Sequence, residues 1–176
     1  EADKGVLTMG PSSDQFNDWL DVAIPLYPLK GQILRLSLPG QALRHTLQHG
    51  SNYAGSKPDG LVWVGTTEET VGFDDKITEA ARIQILRDVS SFLPTVADGR
   101  VILQTACLRP VTQDGFPILG AVPGWEDVLM AAGAGRKGIL LSPSMGEAIS
   151  QIITCGSSYY DLGHFEPARF GRPLKP

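Results

Sequence analysis

A chain of 176 residues can bury the core of one domain, or of one and a half. Its net charge of −4 gives no long-range attraction for nucleic acid or an anionic membrane. No apolar run approaches the roughly 20 residues that a membrane helix needs. Glycine (20) and proline (13) are abundant, which favours a turn-rich β or α+β architecture over a helical bundle. Only two cysteines occur, Cys107 and Cys155, so no disulfide framework is implied and a reducing cytoplasm fits best.

In chain order, residues 4–12 read as a short buried strand that ends in a turn at Gly10-Pro11. Phe16, Trp19 and Leu20 follow at helical spacing and suggest a short amphipathic helix. From Gln32 onward the pattern alternates as a strand. Lys57-Pro58-Asp59-Gly60 is a hairpin signal, with residues 61–67 as the returning strand. The clearest helix lies within 76–93: Thr78 can cap it, and Ala81, Ile85, Leu86, Val89, Phe92 and Leu93 form one apolar stripe before Pro94. Strands are expected at 101–108, 117–121 and 128–132. A last helix is expected to open with Ser142 as cap and Pro143 at its first position, to bury Met145, Ile149, Ile152 and Ile153, and to stop at Gly156. His45 and His49, four apart, could share a helical face, but without a third ligand they read as solvated, as does His164.

Gly133-Ala134-Gly135-Arg136-Lys137-Gly138 matches G-x-G-x-x-G between a strand and a helix. A dinucleotide-binding unit would then need a second parallel strand carrying an acidic residue about 20 residues further on. Only one helix and a tail remain after Gly138, so a complete βαβ unit is not expected downstream.

Taken together, Leu108-Arg109-Pro110, Thr112-Gln113-Asp114-Gly115, Arg136-Lys137-Gly138-Ile139-Leu140-Leu141 and Pro167-Ala168-Arg169-Phe170 resemble the C-terminal part of flavin-dependent amine oxidoreductases. That family includes D-amino-acid oxidase, glycine oxidase and sarcosine oxidase. The resemblance implies an α+β fold: a mixed, mainly antiparallel substrate-binding sheet with flanking helices, plus the last strand and C-terminal helix of an FAD-binding domain whose N-terminal part is missing. It divides the chain into 1–24 (last strand and exit helix of the FAD-binding domain), 25–127 (substrate-binding domain) and 128–176 (flavin loop, helix and tail). The start at Glu1, with Met9 the first methionine, is read as a processed or excised start.

The resemblance also implies site residues. Arg109 would bind a substrate carboxylate, for which a guanidinium suits because it offers two parallel N–H donors. Gly133, Gly135, Arg136, Gly138, Ile139 and Leu140 would form a wall for FAD. Glycines there let backbone pass close to the ring, and N–H groups near a helix start can stabilise negative charge. Tyr53 falls near a substrate-pocket tyrosine of glycine oxidases; equally, it reads as an aromatic packed at a strand start. Cys107 stands where sarcosine oxidases tether FAD through sulfur, and it also reads as a small, often buried hydrophobe. Ala134 replaces a common histidine, and Trp63 stands in place of a lysine that sarcosine oxidases carry, which leaves oxidase against dehydrogenase open.

The implied activity is glycine-oxidase-like: oxidation of the C–N bond of a small amino acid or N-methyl amino acid by hydride transfer to FAD. The other class is a non-catalytic amino-acid-binding domain, or a subunit that needs a partner to bind FAD. Charge, hydropathy and histidine spacing predict no nucleic acid, membrane or metal, and oligomerisation is left open.

Overall fold

Apolar residues alternate along three short strands and send their side chains to opposite faces of one sheet. The computed structural model describes residues 2–40 and 43–171. Strand β1 (Gly5–Leu7) runs parallel to β8 (Val128–Ala132), and β8 pairs antiparallel with β7 (Ile118–Ala121), giving a mixed sheet of order β1-β8-β7. Ile118, Met130 and Ala132 face one side, where they pack with Leu20, Val22, Ile24 and Leu26. Leu119 and Leu129 face the other, where they meet Ala148 and Ile149 of α3 (Gly138–Cys155). These elements belong to a first unit, residues 1–29 and 109–176. It also holds a 3-10 segment, Gly10–Phe16, and the single-turn helix α1 (Asn17–Leu20). Leu20 is buried as its spacing suggests, but Trp19 is largely exposed and stacks on Trp125 with ring centroids 5.0 Å apart.

The second unit, residues 30–108, is built on a five-stranded sheet of order β3-β4-β5-β2-β6. Its strands are β2 (Leu26–Ser37), β3 (Leu47–His49), β4 (Asn52–Ser56), β5 (Val62–Gly65) and β6 (Arg100–Thr112). Helix α2 (Glu79–Ser90) covers one face, where Ile85 and Val89 pack on Leu34, Leu36, Ala54, Val62 and Val64. Thr78 caps α2 through its hydroxyl, which accepts from the Ala81 N–H at 3.3 Å, as the sequence indicates. The β4–β5 hairpin closes at Lys57–Gly60: the Lys57 N–H donates to the Leu61 carbonyl, and the Gly60 N–H to that of Lys57.

Several boundaries differ from expectation, each for a physical reason. β2 begins six residues before Gln32, because the buried Leu26 and Pro28 keep the chain extended. β6 runs four residues past Leu108, through Pro110; as the outermost strand of its sheet it tolerates a residue without an N–H. α3 starts at Gly138, so Ser142 and Pro143 lie inside it rather than at its cap. Proline cannot donate to the carbonyl four residues back. The Ser142 hydroxyl supplies a donor there, reaching the Ile139 carbonyl at 3.0 Å. Ile153 is exposed rather than buried, while α3 ends as expected with Gly156 in the left-handed region at φ 81°. His49 lies in β3 and His45 in a bend, so the two share no helix.

Candidate functional site

In the first unit, the parallel strands β1 and β8 deliver their C-terminal ends to one edge, the edge at which α/β sheets receive ligands. Gly133 follows β8 at φ 78°. A Cβ there would meet the Thr112 methyl at 2.7 Å and Leu26 Cδ2 at 3.0 Å, so both backbone angle and packing call for glycine. The chain then makes a 3-10 turn, Gly135–Lys137, and enters α3. Gly138, Ile139 and Leu140 thus occupy the first turn of an 18-residue helix, where N–H groups lack intrahelical acceptors and the dipole is positive. Ile139 and Leu140 are 93% and 77% exposed.

Between the strand ends and α3 lies a groove of about 320 Å³, lined by small residues that include Gly10, Pro110, Ala132, Gly133, Gly138 and Gly146. A Cβ added at Gly10 or Gly146 would meet nothing within 4 Å, so the protein leaves that room unused. The chemistry suits a flat aromatic ring bearing partial negative charge. Small apolar walls admit the plane, and the helix start favours the charge. These residues therefore fit the ring of FAD. Arg109 directly precedes Pro110 of that lining, and Val111 bridges Ala134 in antiparallel fashion. Arg109, Gly133, Gly135, Arg136, Gly138, Ile139 and Leu140 all fall in this unit.

Tyr53 and Cys107 fall in the second unit. Tyr53 is half-buried on β4 opposite Gly65, and strand alternation turns it to the face away from α2, because its neighbour Ala54 faces the α2 core. Cys107 is exposed on β6, which removes its reading as a buried hydrophobe. Trp63 shares the Tyr53 face. The Arg35 guanidinium lies 4.1 Å from its ring centre, and its indole N–H donates to Asp59 at 3.1 Å. The Leu61 N–H, the indole and Arg35 hold the Asp59 carboxyl below the usual range.

Two polar assemblies carry weight that the motifs alone did not reveal. Lys30, 1% exposed, sits 3.2 Å from Asp74 and 3.7 Å from Glu69. Next to it the Gln32 amide accepts from the Thr78 N–H and from Gln104, and donates to Glu69 and Thr78. In the first unit Arg169 grips Asp114 in a two-pronged pair. Among the described residues no three His, Cys, Asp or Glu gather as metal ligands, and no helix is long and apolar enough to cross a membrane.

Comparison with known proteins gives a consistent picture. The family model of FAD dependent oxidoreductases matches residues 1–152. Glycine oxidase of Pseudomonas aeruginosa is 28% identical over 94% of this chain, which spans 46% of that relative. Glycine oxidase from Geobacillus kaustophilus superimposes with a TM-score of 0.91 at 25% identity, over 96% of this chain and 46% of that structure. Iminodiacetate oxidase from Chelativorans sp. BNC1 does so with a TM-score of 0.88 at 29% identity, over 95% and 46%. The chain therefore spans about half the length of the relatives it matches, and its α+β fold is theirs.

Proposed function

The chain belongs to the FAD dependent oxidoreductase family, and we propose that, together with an N-terminal FAD-binding segment, it oxidises the C–N bond of a small amino acid or N-methyl amino acid. The observation that carries this reading is the small-residue groove at the C-terminal ends of β1 and β8, facing the start of α3. FAD, when bound, supplies the two-electron acceptor.

The protein's own residues bind and orient. Arg109 offers its paired N–H donors to the substrate carboxylate and so fixes which end of the molecule points at the reacting centre. The first-turn N–H groups at Gly138, Ile139 and Leu140 stabilise negative charge arriving at the groove. Gly133 and Gly135 keep the loop free of side chains, and Arg136 adds a positive charge beside it. A substrate amine that enters as the free base needs no side chain to remove its proton. The relatives named glycine oxidase and iminodiacetate oxidase support a small amine bearing a carboxylate.

The test is the visible spectrum of the full-length protein, recorded anaerobically while glycine, sarcosine or D-alanine is added. Bleaching of flavin absorbance by one of them is expected. Arg109→Lys should raise the concentration for half-bleaching by about tenfold or more, because an ammonium cannot reproduce the two-pronged contact. A full-length protein that stays colourless and takes up no added FAD would sink the reading and leave a binding domain.

A further inference from the structure

Arg169 lies far along the chain from the groove, in a short 3-10 turn (Pro167–Phe170). All five N–H donors of its guanidinium are engaged. Nε donates to Asp114 Oδ2 at 2.7 Å and Nη2 to Asp114 Oδ1 at 3.2 Å. Nη2 also donates to the Phe116 carbonyl at 2.9 Å, and Nη1 donates to the carbonyls of Phe165 at 2.7 Å and Glu166 at 3.2 Å. Its planar group lies 4.0 Å from the centre of the Phe170 ring. The side chain of Arg169 is 15% exposed, so this is an enclosed clamp rather than a loose surface pair.

The clamp closes on a turn that is itself braced. The Thr112 hydroxyl donates to the Phe116 carbonyl at 2.7 Å, the Phe116 N–H donates to Asp114 at 3.1 Å, and the Gly115 N–H donates to the Thr112 carbonyl. On its inner side this turn is the bed of the glycine loop. The Thr112 methyl occupies the space a Gly133 side chain would need, Val111 bridges Ala134, and Val111 Cγ2 would lie 3.7 Å from a Cβ on Gly135. Arg109 is three residues before Thr112 on the same strand.

We propose that Arg169 and Asp114 are positioning residues: their two-pronged pair sets the 112–116 turn, and through it both the 133–135 loop against the cofactor and the strand end that carries Arg109. The inference rests on the function proposed above. It assigns a task to the Pro-x-Arg-Phe segment, which lies outside the groove lining. Beyond the charge, the fork geometry carries the effect, since only a guanidinium can hold both carboxylate oxygens and three carbonyl contacts at once.

The experiment uses full-length FAD-loaded protein and acetate, the smallest alkyl carboxylate, as probe. Acetate binding is followed by the change it makes in the flavin spectrum, and FAD retention by fluorescence after dilution. Arg169→Lys is expected to weaken acetate binding and FAD retention about tenfold or more at temperatures well below unfolding. Asp114→Asn, which keeps size and the acceptor for the Phe116 N–H, is expected to show the same direction and decides the matter should the lysine variant not fold. A purely structural pair would lower the melting temperature and leave both constants of the folded variants unchanged; that result overturns the proposal. Wild-type protein that binds neither FAD nor acetate overturns the function on which it rests, a result distinct from normal wild-type binding with unaffected variants.

Discussion

Asp114 accepts hydrogen bonds from two nitrogens of Arg169 and from the Phe116 N–H, and each favours its ionised form. Arg169 is the largest cause, and the carboxyl is held down at about 2 against an ordinary 3.8. A depressed folded-state value means stability that is complete above pH 3.8 and lost as pH falls toward about 2. The carboxylate is 35% exposed, so solvent screening cuts the contribution to about 1 kcal/mol. The expected outcome is that wild type melts higher than Asp114→Asn near neutral pH, and that the gap closes as pH drops below about 3. Thermal melts across that range check it; a gap independent of pH would show that the carboxylate charge is not what stabilises the turn.

At the scale of elements, α2 shows how a cap can join local and tertiary structure. The Thr78 hydroxyl accepts from the Ala81 N–H and also from the Gln32 amide at 3.2 Å, while the Thr78 N–H donates back to Gln32 at 2.9 Å. Thr78→Ala should therefore cost about 1–2 kcal/mol, and Thr78→Ser should recover most of it, read from urea midpoints at constant slope. The cap and the stripe behind it were legible because both are local: a hydroxyl residue, then apolar residues at helical spacing. The hairpin at Lys57–Gly60 and strand β8 were legible for the same reason. The start of α3 was not. Ser142-Pro143 is a sound local start signal, yet Ser142 meets the Ile139 carbonyl that Pro143 leaves without a donor, and the helix reaches back to Gly138. The ends of β2 and β6 escaped for a related reason, since long-range packing of Leu26 and the edge position of Pro110 override local proline signals. The glycine loop and the Leu-Arg-Pro strand end were legible as motifs, and the Arg169 clamp was not, because 55 residues separate its partners.

At the scale of the whole molecule, the groove and the relatives' lengths lead to one expectation. A dinucleotide held firmly needs about 70–90% of its surface covered. The groove offers about 320 Å³ beside one helix start, enough for a ring edge and short of an adenine, a ribose and a pyrophosphate. The chain also spans 46% of the P. aeruginosa glycine oxidase it matches. The 176-residue chain alone, checked as folded by circular dichroism, is therefore expected to show no saturable uptake of FAD at micromolar concentrations, whereas the full-length protein proposed above is expected to take it up. Acid precipitation of the loaded full-length protein then tests Cys107. An exposed thiol is chemically accessible, and a thioether to FAD would leave colour in the pellet that Cys107→Ser releases. Complete release of colour from wild type would end the tether. Tight uptake by the isolated chain would mean that this half grips the dinucleotide by itself, and the division of labour with an N-terminal segment would have to be redrawn.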